Sequence, residues 1–584
     1  MIPRVWAPRA ARVEVVTESG RRSLAARAGD WFVGDEPLAV GTRYSFSLDG
    51  GPLLADPRSA WQPDGADGPS AVVDHQAFPW TDQTWHGSPL AGAVIYELHV
   101  GTFSPAGTFD GAIERLDHLA DLGVTLVEVM PVAAFSGDRG WGYDGVLPFA
   151  VHHAYGGPDG FKRFVDAAHQ RGFGVLLDVV YNHVGPEADQ LGEFGPYTHE
   201  VAGTPWGEAM NLDGEGSDEV RRYIIDNVRH WIEHYHVDGL RLDATHALVD
   251  SRAQHILAEL AQEALALGAA VGRTILLVAE DDRNDPRITT AAEAGGYGLD
   301  GQWADDLHHA VHAVLTGEDA GYYVDYGSLD AVVRALAQVH HLDGQWSEHR
   351  RRGHGAPLVD EPRHRFVVAM QNHDQIGNRA GGERLVHLVG AGAVKLAAGV
   401  LLLGPCTPLL FQGEEWGAST PFRFFADFRD EELRTAVVEG RSREFAGLAR
   451  RDEDLADPFA IETFDECRLR WDERDEPAHA ELLDWYRRVL ALRRAEPDLT
   501  DPRAARTRIE RHGDVVVMRR GSLCILANFG DAAHRWQPVG RREPAPVPIL
   551  ASDATRIEEG KLVVAPRSLA VVRTSPDRAD HAAR

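Results

Sequence analysis

The strongest constraint in this sequence is a recurrence. Short, predominantly apolar runs end in polar or charged residues and hand over to longer stretches with helical periodicity. Ala93 to Leu98, Val124 to Val129, Gly174 to Val180 and Gly239 to Leu242 are such runs. A strand that is apolar on both faces must be covered on both, and alternation with helices covers it by wrapping a parallel sheet. Ile275 to Ala279, Phe366 to Met370 and Cys406 to Phe411 continue the pattern. A last helix over Ala480 to Arg493 offers Leu483, Trp485, Tyr486, Val489 and Leu492 to close it. The expectation is a multidomain α/β chain whose centre, residues 90–498, is a (β/α)8 TIM barrel with insertions.

Two helices set the phase. Asp110 is placed to cap a helix in which Ile113, Leu116 and Ala120 recur before Gly123 ends it. Ser217 precedes Asp218 and Glu219 as a cap followed by first-turn acids, and Val220, Ile224, Val228, Trp231 and Tyr235 form the buried stripe. The chain then passes through His236 to Gly239 into a strand that ends near Asp243. That is the end of a strand at which a barrel keeps its chemistry.

The flanks read differently. In residues 1–75 the β-like runs Val13 to Thr17, Asp30 to Val33 and Thr42 to Ser47 are separated by Gly and Asp turns, which predicts a small β-sandwich. A binding module and a structural collar both fit that pattern. The polar passage Asp56 to Gly68 reads as a loop that ends the module or lies on its surface, and residues 76–89 as a linker. After Asp501-Pro502, the runs Asp514 to Met518 and Leu523 to Asn528 predict a C-terminal β domain over 499–584.

Charge and cysteine content narrow the function classes. With 89 acidic against 59 basic residues the formal charge is −30, which repels phosphates and anionic lipid heads. Neither nucleic acid nor a membrane surface is an expected partner. Cys406, Cys467 and Cys524 are far apart and odd in number, so the expectation is a reducing, cytoplasmic setting without a disulfide framework. No uninterrupted apolar run reaches membrane-spanning length, and Val400 to Leu403 is too short. The pairs His152-His153 and His308-His309 point their members in different directions, and no Cys/His module accompanies them. No metal or cofactor is expected.

Polar residues concentrate at the strand ends: Asp178, Asn182 and His183; Arg241 and Asp243; Glu280; His373 and Asp374. Carboxylates from separate strands, gathered on one rim, are what glycosidic cleavage requires. One carboxyl delivers a proton to the leaving oxygen while another sits beside an oxocarbenium-like carbon. Arg241 and Asp243 are two residues apart on one strand, so their side chains share a face and the guanidinium can orient the carboxylate. Alone, Arg-x-Asp is more often a structural ion pair, and an acid placed as Glu280 is often simply the start of a loop.

Four segments resemble the signature regions of the α-amylase superfamily, in their usual order: Asp178 to His183, Gly239 to Ala244, Ala279-Glu280 and Asn372 to Asp374. Val127 to Val132 resembles the additional second-strand signature. By that resemblance Asp243 is the nucleophile, Glu280 the general acid and then base, and Asp374 the transition-state stabiliser that clamps sugar hydroxyls. Arg241, His183 and His373 are then substrate-binding residues, and Tyr143, with Asp144 beside it, the aromatic floor under the donor sugar. Its alternative is core packing.

Arg4 to Pro8 resembles the amino-terminal motif shared with branching and debranching enzymes, and four other segments are similar to the trehalose-releasing trehalohydrolase branch of that superfamily: Ala279 to Asn284, Gln302 to Asp306, Phe424 to Phe428 and Glu439 to Phe445. The resemblance implies a maltooligosyltrehalose or related α-glucan substrate and metabolic coupling to a maltooligosyltrehalose synthase. It makes Asp281, Asp282, Trp303 and Asp306 the candidates for trehalose-side contacts. A 1,4-α-glucan branching enzyme shares the first chemical step, and a catalytically inactive glucan-binding protein would share the fold.

Overall fold

A computed structural model describes the chain except for residues 188, 446–454, 502, 504–506, 538–546 and 575–584. Pro502, expected at the boundary of the last domain, lies outside the described residues.

Eight parallel strands close into a barrel in sequence order. They are β1 (Ile95–Leu98), β2 (Leu126–Val129), β3 (Gly174–Val179), β4 (Gly239–Leu242), β5 (Leu276–Ala279), β6 (Gly301–Trp303), β7 (Phe366–Ala369) and β8 (Thr407–Phe411). Alternate side chains point inward. Ile95, Leu126, Leu176, Leu276, Val278, Trp303, Val367, Ala369 and Leu409 form one enclosed apolar cluster that fills the barrel. A much larger cluster holds the opposite strand faces against the surrounding helices.

A β-rich unit precedes the barrel. One sheet contains Gly20–Ser23, Val13–Thr17, Arg43–Leu48, Leu53–Leu54 and Ser70–Ala71; a second contains Arg4–Trp6, Trp31–Val33 and Ala25–Ala26. The segment expected to be a surface loop is instead partly core. Asp56, Ser59 and Gln62 are buried, and Asp56 accepts from Tyr44 Oη at 2.7 Å, so its polarity is satisfied internally. After the barrel, a five-stranded sheet with Val515–Arg520, Leu523–Asn528 and Ser568–Arg573 at its centre is joined by a three-stranded one.

Two caps differ from expectation. Thr108, not Asp110, accepts from the Gly111 N–H, and the helix breaks after Ile113 before resuming at Leu116. Ser217 is the first helical residue rather than the cap; Gly216, at φ +76°, occupies that position. A third difference concerns α1 (Leu385–Leu403), which has the length and apolar composition to cross a membrane. It is a barrel helix packed against α3 (Pro477–Ala495), where Trp485 Nε1 donates to the Lys395 carbonyl at 2.9 Å. Its His387 and Lys395 interrupt the apolar run, and Gly390, at φ +77° and ψ 163°, breaks the helix itself.

Candidate active site

The same alternation that fills the barrel builds the site. Two residues beyond Ile95, Leu126, Leu176 and Gly239, on the same inward face, stand Glu97, Glu128, Asp178 and Arg241. A polar layer therefore caps the apolar one at the carboxyl ends of β1 to β4.

Arg241 is the hub. Its buried guanidinium donates through Nη1 to Asp178 Oδ1 at 2.9 Å, to Asp178 Oδ2 at 2.8 Å and to Asp243 Oδ1 at 2.8 Å. Nη2 lies 2.7 Å from Glu280 Oε2 as an ion pair without hydrogen-bond alignment. The group sits over the Trp303 ring, 4.4 Å from its centroid. Burial works against its charge, but Asp178, Glu280 and Asp243 outweigh that and hold its proton firmly.

Asp243 is fixed from two sides, because Asn182 Nδ2 donates to its Oδ2 at 2.9 Å while Arg241 holds Oδ1. Each carboxylate oxygen keeps capacity to accept or attack. The next residue carries strain: Ala244 has φ +39°, in the left-handed region that a side chain disfavours. That turn aims the Ala244 N–H at Glu280 Oε2, 2.9 Å away, and Thr245 donates to the Glu280 carbonyl. The nucleophile candidate and the acid candidate are thus tied through both a guanidinium and a backbone turn. Burial raises the proton affinity of Glu280 most, Arg241 opposes it and Asp243 adds to it; the net shift is upward.

His373 opens the short helix His373–Gly377, with Asn372 as its cap. Glu97 accepts from both the His373 backbone N–H, at 3.1 Å, and the ring Nδ1. On the other side of the ring, Nε2 is 2.8 Å from Tyr143 Oη, which donates to Asp178 Oδ2 at 2.7 Å. With its proton on Asp178, Tyr143 must accept from Nε2–H, so both ring nitrogens carry hydrogen. Burial opposes the imidazolium, yet Glu97 and Asp374 push its pKa up to about 9. Asp374 projects from the first turn with its side chain 42 % exposed, open to sugar hydroxyls.

Tyr143 reaches its place because Gly142 has φ +99° and any Cβ there would meet the Pro131 carbonyl at 2.2 Å. His183 lies beside the Tyr143 backbone, its ring 5.8 Å from that of Trp206, and burial lowers its pKa to about 4. Asp144 takes no part in the hydrogen-bond network around Arg241 among the described residues; burial pushes its pKa up to about 7.

The four acceptor-side candidates separate sharply. Trp303 is not on a loop: it is 5 % exposed inside the barrel under Arg241. Asp306 is consumed by structure, accepting from Tyr326 Oη at 2.9 Å, Asn284 Nδ2 at 3.2 Å, Leu342 N at 3.1 Å and the His341 N–H. Asp281 is likewise buried, engaged by Thr245 and Arg283. Asp282 alone stays accessible, its side chain 38 % exposed and 2.8 Å from Arg350 Nη2.

Sequence reasoning did not select Glu97, Glu128 or Asp305 as site residues, and placed Asn182 on the rim without a role. Glu97 and Glu128 carried a readable signal, an acid on the inward phase of an apolar strand. Glu128 is buried with neither carboxyl oxygen bonded, and burial, then Glu97, drives its proton affinity strongly up. For Asp305, burial and then Glu280 and Asp374 push the pKa up to about 7. Asp305, next to Asp306, is thus close enough to Glu280 and Asp374 to feel their charge.

Known proteins share this fold. A family model described as the alpha amylase catalytic domain matches residues 74–198. A solved Salmonella typhimurium structure, provisionally assigned to the alpha amylases, aligns with TM-score 0.90 at 38 % identity, covering 98 % of this chain and 97 % of that one. Malto-oligosyltrehalose trehalohydrolase of Arthrobacter ramosus is 48 % identical over 542 residues, 92 % of this chain and 93 % of the relative. The protein of the same name from Rhizobium sp. (strain M-11) is 45 % identical over 582 residues, 97 % of each chain. With that identity sustained along nearly the full length of both relatives, the chain belongs to the malto-oligosyltrehalose trehalohydrolase family of the α-amylase superfamily.

Proposed function

We propose that this chain hydrolyses the α-1,4-glucosidic bond joining a maltooligosaccharide to its terminal trehalose, by retaining double displacement, and releases trehalose. The observation that carries the chemistry is the single guanidinium of Arg241 touching both Asp243 and Glu280. The substrate rests on the family, whose members are malto-oligosyltrehalose trehalohydrolases by name.

The donor glucose stacks on Tyr143 with Asp374 and His373 at its hydroxyls. Asp243 attacks its anomeric carbon as protonated Glu280 gives its proton to the glycosidic oxygen, which leaves as a hydroxyl of trehalose. Esterified Asp243 no longer bears a charge, so the proton affinity of Glu280 falls. Glu280 then takes a proton from water, whose oxygen attacks the anomeric carbon and frees Asp243. Asp282 and Arg350, beside the Glu280 end of the cleft, contact the leaving trehalose.

The test is a product assay on maltooligosyltrehalose alongside reducing maltooligosaccharide of equal length. Trehalose release from the capped substrate at a much higher kcat/KM is expected. Formation of α-1,6 branches would favour the branching enzyme, and binding without turnover the inactive glucan-binding protein. A cytoplasmic location is part of this reading, supported by three free, buried cysteines. Cell fractionation that found the protein outside the cytoplasm would remove it.

A further inference from the structure

Asp243 and Glu280 each have two partners in the site: Arg241 and Asn182 for the first, Arg241 and the Ala244 N–H for the second. Asp374 has a single hydrogen-bond donor among the described residues. Asn378 donates through Nδ2 to Asp374 Oδ1 at 3.2 Å. The other oxygen, Oδ2, lies 3.6 Å from His373 Nε2 as an ion pair, and the side chain is otherwise open to the cleft. An exposed carboxylate on a short helix moves among its rotamers unless a partner selects one. Here the amide selects it. Its orientation is set by chemistry, because the opposite flip would put an amide oxygen against a carboxylate oxygen.

Asn378 stands four residues after Asp374, the spacing at which helical side chains meet. Its backbone N–H closes the helix His373–Gly377 by donating to the Asp374 carbonyl at 2.9 Å. Any residue but proline could do that, so capping does not account for the amide. The backbone on which Asn378 sits is anchored on several sides. Arg379 is bidentate on Glu318, Nη1 to Oε2 at 3.0 Å and Nη2 to Oε1 at 2.9 Å, just past the helix Asp306–Thr316. Arg441, on α2 (Glu431–Phe445), donates through Nη2 to the Gly377 carbonyl at 3.0 Å and lays its guanidinium 4.6 Å from the Phe424 ring centroid. Gln375 Nε2 donates to Asp305 Oδ1 at 3.3 Å, and a Cβ on Gly377 would collide with the Trp141 indole. The segment is held firmly, and Nδ2 of Asn378 passes that rigidity to the carboxylate.

We propose that Asn378 is a positioning residue that holds Asp374 in the rotamer that meets the hydroxyls of the donor sugar as its ring flattens; the inference rests on the reading of Asp374 as the group that clamps those hydroxyls. An acceptor already oriented needs no reorganisation when the transition state forms, whereas a rotating one must be ordered at that moment. Loss of the amide therefore falls on kcat rather than on KM.

The test is a double-mutant cycle of Asn378→Ala and Asp374→Asn, read on α-maltosyl fluoride so that the trehalose assignment does not enter. Asn378→Ala is expected to lower kcat roughly ten- to hundredfold, the scale of a misplaced catalytic group, with KM nearly unchanged. In the Asp374→Asn background the same substitution should cost nothing further, because the group it positions is gone. The full loss repeated in that background, or an unchanged kcat in the single variant, overturns the proposal. An Asp374→Asn enzyme as active as wild type removes the reading of Asp374 itself, and the proposal with it. Melting curves show whether each variant folds. Should Asn378→Ala melt early, Asn378→Asp, of the same shape but with a second carboxylate in place of the donor, takes its place in the cycle with the same expectation.

Discussion

Replacing Glu97 with Gln removes one charge from beneath the donor site while leaving the reacting carboxylates in place. Glu97 is the largest of the influences that keep the buried His373 protonated, followed by Asp374, with burial and Arg241 acting against it. Tyr143, Glu128 and His99 also surround this pair. Moving His373 from about 9 to its ordinary 6.5 corresponds to about 3 kcal/mol, at about 1.4 kcal/mol per pH unit. Because the folded-state pKa is raised, the stabilisation is complete below about pH 6.5 and is lost as pH rises through about 9. For a cooperative barrel unit of roughly 400–500 residues, this is about 3 °C in Tm. Melting curves of wild type and Glu97→Gln between pH 6 and pH 10 measure it. The gap should be near that value at pH 6 and close by pH 10. In parallel, kcat should drop near pH 8, where the wild-type imidazole keeps both protons and that of the variant has lost one, so that the Nε2–H that fixes the Tyr143 hydroxyl is no longer secured. A gap that did not change with pH would refute the assignment of His373 as an imidazolium held by Glu97.

Three further substitutions test separate parts of the site. Ala244→Gly should raise stability by about 1 kcal/mol by relieving the left-handed conformation, seen as a higher Tm, while lowering kcat because the N–H that holds Glu280 is less firmly aimed. Asp306→Ala should lower Tm by several degrees, since losing a buried carboxylate that serves several donors costs about 3–5 kcal/mol. Asp282→Ala should leave Tm unchanged and raise KM for trehalose-capped substrate, with a smaller change for reducing maltooligosaccharide; equal changes on both would remove Asp282 from the trehalose contacts.

The barrel was legible because its strands alternate with helices and most end in polar residues that mark one rim. The positions of Asp243, Glu280 and Asp374 were legible for the same reason, since strand ends meet wherever a barrel closes, while their roles came from the resemblance to the α-amylase superfamily. Glu97 carried a signal, an acid on the inward phase of the apolar strand Ile95–Leu98, but its partner His373 follows a strand across the barrel closure and is 276 residues away, so the pairing shows only in the fold. The choice between Asp305 and Asp306 turns on a rotation of about 100° at the start of a helix. Sequence spacing shows both acids near the rim, and only the fold shows Asp306 spent on Tyr326 and a distant loop. The Phe424 and Arg441 segments were visible as motifs, but their meeting depends on where the chain after β8 returns.

The most direct test of the central claim uses Glu280→Gln with α-maltosyl fluoride, whose leaving group departs without a proton. Lacking the base that activates water, the enzyme should accumulate a glycosyl ester. Peptide mass spectrometry should find one maltosyl group on the peptide containing Asp243. A label on any other residue, or turnover to free maltose of inverted anomeric configuration without an adduct, would contradict the account.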